Sequence, residues 1–177
     1  MSHPLKRLVA IDTETTGFSN SDKIVEIACI EIIDGEIGSS FHRWVNPTIG
    51  IPDRAFDVHG LSNEFLDDKP NFKAVADDFL GFIGDSALVI HNAAYDLRMI
   101  NNELKAISYP ALGNEAICTL KSAKKSMKEL LESKSLDSLC DYFEIDRTKR
   151  IIQGHGALVD TELLANLFIT MDRKGYL

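Results

Sequence analysis

Alternating and clustered apolar positions predict strands in the first quarter of the chain. Residues 8–11 (LVAI) are typical of a short buried strand, and Ile24–Ile33 (IVEIACIEII) alternates as a second strand. An Asp-Gly turn at 34–35 follows, after which residues 41–45 are predicted to return antiparallel as a third strand. This part of the chain therefore predicts an antiparallel meander.

Helical periodicity dominates the rest of the chain. Phe72–Ile83 carries apolar residues three and four positions apart, and Ser62 is predicted to cap a short helix over 64–66. Ala87–Ile90 is wholly apolar and predicts a further strand. Further helices are predicted over 93–107, 117–131, 136–143 and 158–171. Early strands and a later strand between helices favour an α/β protein with a mixed sheet flanked by helices.

Length and composition predict one soluble domain over residues 1–177. Hydrophobic residues make up 45% and charged residues 26% of the chain. No apolar run approaches the roughly 20 residues of a membrane span, and the start MSHPLKR lacks a secretory signal, so we expect a cytoplasmic protein without membrane contact. Cys29, Cys118 and Cys140 are far apart among apolar residues, which predicts reduced thiols rather than a disulfide or zinc site.

The formal net charge of −8 restricts the kind of nucleic acid that the chain can bind. Tight binding of a long duplex depends on neutralising phosphates with basic residues, and this chain has an excess of acids. If its substrate is nucleic acid, we expect it to bind a short end, to use metal ions against phosphate repulsion, or to be brought there by a partner.

The first strand leads directly into two carboxylates, in LVAIDTETTG at 8–17. Strand alternation puts Asp12 and Glu14 on the same face as Ala10. Two ionised carboxylates this close repel each other. Both stay ionised at neutral pH only if a cation or several hydrogen-bond donors lie between them.

Two further acids lie on apolar faces of predicted helices. Asp160 shares its face with Leu163, and Asp96 opens a helix on the side of Met99. Burial of a lone carboxylate is costly or forces it to take up a proton. For either acid alone, backbone donors at a helix start suffice as an explanation. Four such acids at the ends of core elements favour oxygen ligation of a hard divalent cation.

This donor set predicts Mg²⁺ or Mn²⁺, with two ions per site. Two ions about 4 Å apart stabilise the attacking and leaving oxygens of a phosphoryl displacement, and Asp12 is best placed to bridge them. His155 lies between two glycines, five residues before Asp160. Alone it is typical of a surface histidine, but beside the acids it is predicted to be a general base.

Four motifs in this chain resemble those of the DEDDh 3′–5′ exonucleases, and most closely those of the proofreading epsilon subunits of bacterial DNA polymerase III. They are DTETTG at 12–17, VHGLSNEFL at 58–66, VIHNAAYD at 89–96 and HGALVDTELLA at 155–165. The similarity extends from about residue 8 to residue 171. It implies an RNase H-like fold with a five-stranded mixed sheet. It also implies release of nucleoside 5′-monophosphates from single-stranded or frayed DNA 3′ ends.

The resemblance further implies roles for individual residues. The metal ligands would be Asp12, Glu14, Asp96 (directly or through water) and Asp160, with His155 as general base. The 3′-terminal nucleotide would be received by Thr15, Thr16, His59, Asn92 and Tyr95. Simpler interpretations stay open: a strand-end turn for Thr15 and Thr16, a helix cap for Asn92, a loop histidine for His59 and packing for Tyr95. We expect His91 to support the site, and His3 and His42 to lie at the surface.

The chain departs from the family pattern in two places. Residues 151–154 make the segment before His155 slightly longer, so we expect a more mobile histidine loop. Only residues 172–177 follow the last predicted helix, whereas epsilon subunits usually carry a further tail that anchors them to the polymerase catalytic subunit. The resemblance therefore implies this polymerase as the protein partner, although we find no counterpart of the anchoring tail in the sequence.

Two alternative functions remain open at this stage. One is an exoribonuclease of the same superfamily that trims RNA 3′ ends, because the same metal chemistry cleaves either backbone. The other is a non-catalytic accessory that binds strand ends. The presence of all five candidate catalytic residues argues against the accessory.

Overall fold

A five-stranded sheet forms the centre of the protein. The computed structural model describes residues 7–177, and His3 lies outside them. The strands are β1 (Leu8–Thr15), β2 (Ile24–Ile33), β3 (Glu36–Trp44), β4 (Ala87–Ile90) and β5 (Ala116–Cys118). Their spatial order is β3-β2-β1-β4-β5. The first three strands form an antiparallel meander, whereas β4 is parallel to β1 and β5 is parallel to β4, so the sheet is mixed as expected.

Eight helices accompany the sheet within residues 7–177. They are α1 (Asp53–His59), α2 (Asn63–Leu66), α3 (Phe72–Ile83), α4 (Ala93–Ala106), α5 (Thr119–Ser126), α6 (Leu136–Tyr142), α7 (Thr148–Gln153) and α8 (Ala157–Arg173). No helix in this range is long and apolar enough to cross a membrane. Cys29, Cys118 and Cys140 are free thiols, as predicted.

The two faces of the sheet pack against different helices. Val9 and Ile11 of β1 join a core with α3 and α4. Ala10, which points the other way, joins a second core with Leu164 and Phe168 of α8. Strand alternation therefore directs Asp12 and Glu14 toward the α8 side of the sheet.

Several predicted elements agree with the structure. Ile24–Ile33, Phe72–Ile83 and Ala87–Ile90 have the predicted bounds. The Ser62 hydroxyl accepts a hydrogen bond from the Phe65 amide at 3.1 Å, so the predicted cap is present. The turn after β2 places Asp34 and Gly35 at φ 52° and 77°, as a tight hairpin turn requires.

Other predictions were wrong in extent or in kind. β1 continues four residues beyond Ile11, and β3 begins at Glu36 rather than at residue 41. The helix predicted over 117–131 is replaced by β5 and the shorter α5, because Ala116–Cys118 pairs in parallel with the end of β4. Tertiary pairing here overrides a helical pattern. The helices α1 and α7 were not predicted.

Candidate active site

The predicted acids converge at the end of β1, in an open cleft of about 250 Å³. β1 supplies two of them, the first turn of α4 supplies the third, and the first turn of α8 supplies the fourth. The loop before α8 adds the histidine. The predicted catalytic residues that line this cleft are Asp12, Glu14, Asp96, His155 and Asp160.

Three of these side chains lie close enough together to share a metal ion. Ligand atoms of Glu14, His155 and Asp160 all lie within 4.8 Å of one another, a spacing that a shared cation could bridge. His155 Nδ1 is 3.3 Å from Asp160 Oδ2. Glu14 therefore faces Asp160 across the gap between the sheet and α8.

Asp96 enters the cleft from the α4 side of the sheet. Its side chain is almost fully buried, and the Thr13 hydroxyl donates a 2.8 Å hydrogen bond to Oδ1. Thr13 lies on the face of β1 opposite Asp12 and Glu14. β1 therefore carries two acids on one face and orients Asp96 through Thr13 on the other. The first turn of α4 supplies the favourable end of the helix dipole.

The metal-free cleft carries more negative charge than its surroundings stabilise. Burial, followed by repulsion from Asp96 and Glu14, raises the pKa of Asp12 well above its ordinary value. Burial and the nearby Asp160 raise the pKa of Glu14 to about 8, and burial raises that of Asp96 to about 7. Divalent cations would offset this repulsion, and carboxylate oxygens are the ligands that Mg²⁺ and Mn²⁺ prefer. The donor set therefore fits the predicted ions.

These pKa shifts predict that raising the pH destabilises the metal-free protein. A carboxyl group whose pKa is raised on folding binds more protons when folded, so its contribution to stability falls as pH rises from about 4 to 8. In EDTA, we expect the melting temperature of the wild type to fall across this range more steeply than that of Glu14→Gln. At pH 8 the variant should melt about 3–8 °C higher.

Differential scanning calorimetry at pH 5 and pH 8 measures this difference. Added Mn²⁺ should raise the melting temperature of the wild type at pH 8 and have a smaller effect on Glu14→Gln. If the melting temperatures of the wild type and of Glu14→Gln fall equally with pH in EDTA, ionisation of Glu14 does not destabilise the protein and this prediction is wrong.

Arg150 is a cleft residue that sequence reasoning missed. Its buried guanidinium donates from Nε to Asp160 Oδ1 at 2.5 Å, and Nη2 lies 2.6 Å from His155 Nε2. It projects from α7, the unpredicted helix before the histidine loop. Asp160 therefore already has a positive partner without metal. The acid cluster in the sequence gave reason to look for such a partner among nearby basic residues.

Two of the predicted nucleotide-binding residues line the cleft. Asn92 is the N-cap residue of α4, with φ 73°, but its side chain makes no capping bond and lines the cleft. The Tyr95 hydroxyl lies 2.9 Å from the Gly17 carbonyl oxygen and contacts the Thr15 hydroxyl, so this side chain is held at the end of β1. His91 lines the cleft as well, and burial lowers its pKa to about 4, which keeps it neutral.

Thr15, Thr16 and His59 lie near the cleft but do not line it. The two threonine hydroxyls donate 2.8 Å bonds to the Gly17 carbonyl and to Asp22 Oδ1, as the turn interpretation expected. His59 ends α1 rather than lying in a loop. Its Nδ1 accepts from the Leu61 amide at 3.0 Å, while its buried Nε2 has no partner within the described structure.

Two surface features beside the cleft were also missed. Phe18 follows the DTETTG motif and is 80% exposed, with its ring 5.7 Å from that of Tyr95. The Arg98 guanidinium also lies over the Tyr95 ring, 5.5 Å from its centroid. An exposed aromatic directly after the motif was the signal available in the sequence.

His42, which was expected at the surface, is only partly exposed. It is partly buried on β3, and its Nε2 is 2.7 Å from Oε1 of Glu26 on the neighbouring strand. Glu26 is itself a buried acid that sequence reasoning overlooked. The alternating pattern of β2 placed this acid on the same face as apolar residues, which was a usable signal.

Comparison with known proteins assigns the chain to a family. The model of the RNase T-type exonuclease family matches residues 9–168. The chain belongs to this exonuclease family. DNA polymerase III subunit epsilon of Rickettsia prowazekii (strain Madrid E) is 42% identical over 173 residues, which cover 93% of this chain and 73% of the relative.

Solved structures agree with this family assignment. Exonuclease X, solved in complex with 5′-overhanging duplex DNA, is 28% identical with a TM-score of 0.73, covering 95% of this chain and 93% of the other. The nuclease domain of 3′hExo, a DEDDh family member bound to rAMP, is 18% identical with a TM-score of 0.82, covering 99% and 96%. The expected RNase H-like fold and the resemblance to DEDDh exonucleases are both confirmed.

Proposed function

We propose that residues 1–177 form one exonuclease domain that removes nucleoside 5′-monophosphates from the 3′ end of single-stranded or frayed DNA. The observation that carries this proposal is the convergence of acids from β1, α4 and α8 in one cleft beside His155. Membership of the exonuclease family and 42% identity to a DNA polymerase III epsilon subunit support the choice of reaction and of DNA.

In this proposal the carboxylates hold two divalent cations. Asp12, Glu14 and Asp160 are direct ligands, and Asp96 acts directly or through water. Bound there, Mg²⁺ or Mn²⁺ would supply electrostatic stabilisation of the charge that develops on the phosphate and on the departing 3′ oxygen. Arg150, which neutralises Asp160 in the metal-free state, would be released by this binding and left free to meet a phosphate.

His155 accepts the proton of the attacking water in this proposal. Its side chain is 47% exposed toward solvent, and Asp160 Oδ2 lies close enough to Nδ1 to orient the ring. One ring nitrogen can then face the water. The Arg150 guanidinium, now against both ring nitrogens, must move away before the imidazole can accept a proton.

The form of the cleft supports an unpaired strand end as substrate. The net charge of −8 disfavours a long duplex. Phe18 and Tyr95 offer adjacent aromatic surfaces on which unpaired bases can stack without sequence preference. The Asn92 side chain, which makes no capping bond, lines the cleft and is a polar group available to a terminal nucleotide. A mismatched end frays more readily and would be removed faster.

A 5′-labelled primer with a 3′ mismatch, annealed to a template, tests the proposal. With Mg²⁺ we expect a ladder that shortens from the 3′ end, with the mismatched end degraded faster than a paired end. EDTA should stop the reaction. Degradation that is insensitive to chelation would contradict the mechanism, and metal binding without turnover would favour a non-catalytic accessory.

Matched DNA and RNA oligomers of one sequence separate this proposal from the exoribonuclease alternative. We expect faster digestion of DNA, in line with the relatives named as DNA polymerase subunits. Faster digestion of RNA would show that RNA rather than DNA is the substrate, without contradicting the metal-dependent mechanism. We further propose a polymerase catalytic subunit as protein partner, which co-purification with a replicative polymerase would test.

A further inference from the structure

We propose that Glu26 is a positioning residue that fixes the start of α8 and thereby sets the places of His155 and Asp160. Glu26 lies on β2, directly opposite Glu14 of β1 in the sheet register. It is only 5% exposed and does not line the cleft. This inference deepens the proposed function and rests on it for the roles of His155 and Asp160.

Both oxygens of Glu26 are occupied in ways that suit a structural bond rather than a metal ligand. Oε2 accepts a 3.0 Å hydrogen bond from the backbone amide of Ala157, the first residue of α8. Oε1 is 2.7 Å from Nε2 of His42, whose ring packs against Trp44 at 4.7 Å between centroids. The carboxylate is therefore oriented by His42 through one oxygen and accepts a hydrogen bond from the start of α8 through the other.

The start of α8 needs such a partner because its own sequence supplies none. The N-cap is Gly156, which has no side chain to accept a bond from the first-turn amides. Glu26 fills this role from 131 residues away in the sequence. A second tie joins the same elements one turn later, where the Thr161 hydroxyl approaches the Ala28 carbonyl at 3.4 Å.

The location of this bond explains its importance for the site. Ala157 lies between His155, two residues before it, and Asp160, three residues after it. Loss of the bond would let the first turn of α8 fray, and both side chains would move relative to Glu14. Displacement of a reacting group by about 1 Å costs up to roughly 100-fold in rate.

Three substitutions of Glu26 distinguish the bond from the charge. Glu26→Gln keeps the reach and an acceptor oxygen but removes the charge, whereas Glu26→Asp keeps the charge but is shorter by about 1.5 Å. Glu26→Ala removes both. We expect Gln to keep kcat within about threefold of the wild type, and Asp and Ala to lose about 10- to 100-fold with little change in KM.

Glu103→Ala is the matched control. Glu103 is a buried acid on α4 that accepts a 3.1 Å bond from the Ile24 amide at the start of β2, and it makes no bond to α8. We expect this variant to lose stability, as Glu26→Ala does, but to keep kcat. Equal losses of kcat in both alanine variants would reduce Glu26 to a general stabilising residue and overturn the proposal.

Amide hydrogen exchange of Ala157, followed by NMR, gives a readout that does not depend on activity. Protection should be lost in Glu26→Ala and Glu26→Asp and kept in Glu26→Gln. If Glu26→Ala does not fold, the Gln and Asp variants still decide the matter. Loss of activity in Glu26→Gln equal to that in Glu26→Asp would assign the effect to charge and overturn the proposal. If the wild type fails to digest DNA, the proposed function falls, while the exchange measurement still tests the bond.

Discussion

Replacing Asp12 by alanine is expected to abolish the nuclease activity, with a loss of kcat of about 10³-fold or more. Burial and repulsion from Asp96, Glu14 and Asp160 raise the pKa of Asp12, and a cation between these carboxylates would relieve that repulsion. Without this carboxylate, the remaining acids cannot hold two ions in one arrangement. The loss should appear with Mg²⁺ and with Mn²⁺ alike.

The rate of release of the 3′-terminal nucleotide from a labelled single strand measures this effect. Asp12→Asn, which preserves the shape of the side chain, should lose as much activity as Asp12→Ala and should be more stable than the wild type in EDTA. Asp78→Asn, which changes an exposed acid on α3, serves as control and should keep full activity. An Asp12→Ala variant that keeps more than about a tenth of the wild-type rate would contradict the proposed ligand role.

Replacing His155 by alanine is expected to slow the reaction by about 10²- to 10⁴-fold. The reason is different from that for Asp12, because in our proposal the imidazole takes the proton of the water and does not hold the ions. Affinity for Mn²⁺, measured by isothermal titration calorimetry, should therefore change little in His155→Ala. Added imidazole should restore part of the rate.

Gln153→Ala provides the control for this prediction, because Gln153 is the exposed last residue of α7, two positions before His155, and does not line the cleft. It should keep both activity and Mn²⁺ affinity. His155 Nδ1 is close enough to Glu14 and Asp160 to share a cation with them. A large loss of Mn²⁺ affinity in His155→Ala would therefore make this residue a ligand and contradict the general-base role.

The elements with strong local signals were the ones that sequence predicted well. The amphipathic stripe of Phe72–Ile83 and the apolar run of Ala87–Ile90 fix their own bounds. The convergence of the acids was predictable for a similar reason. A carboxylate at an apolar position, such as Asp96 or Asp160, conflicts with burial unless something balances it, and this conflict is visible in the sequence.

Features that depend on distant pairing could not be predicted in the same way. The strand Ala116–Cys118 exists because it pairs with β4, and its three residues alone are too few to show a strand pattern. Arg150 enters the cleft because α7 folds back onto α8, and Glu26 reaches Ala157 across 131 residues. A single sequence holds no local mark of either contact. The resemblance to the family supplied the five-stranded sheet, which periodicity alone did not.

A crystal of the protein soaked in Mn²⁺ and measured at the manganese absorption edge tests the central claim most directly. We predict strong anomalous peaks in the cleft within coordination distance of Asp12, Glu14 and Asp160, with Arg150 withdrawn from Asp160. The same soak of Asp12→Asn should show weaker peaks or none. A fully soaked wild-type crystal with no anomalous density between these carboxylates would contradict the account.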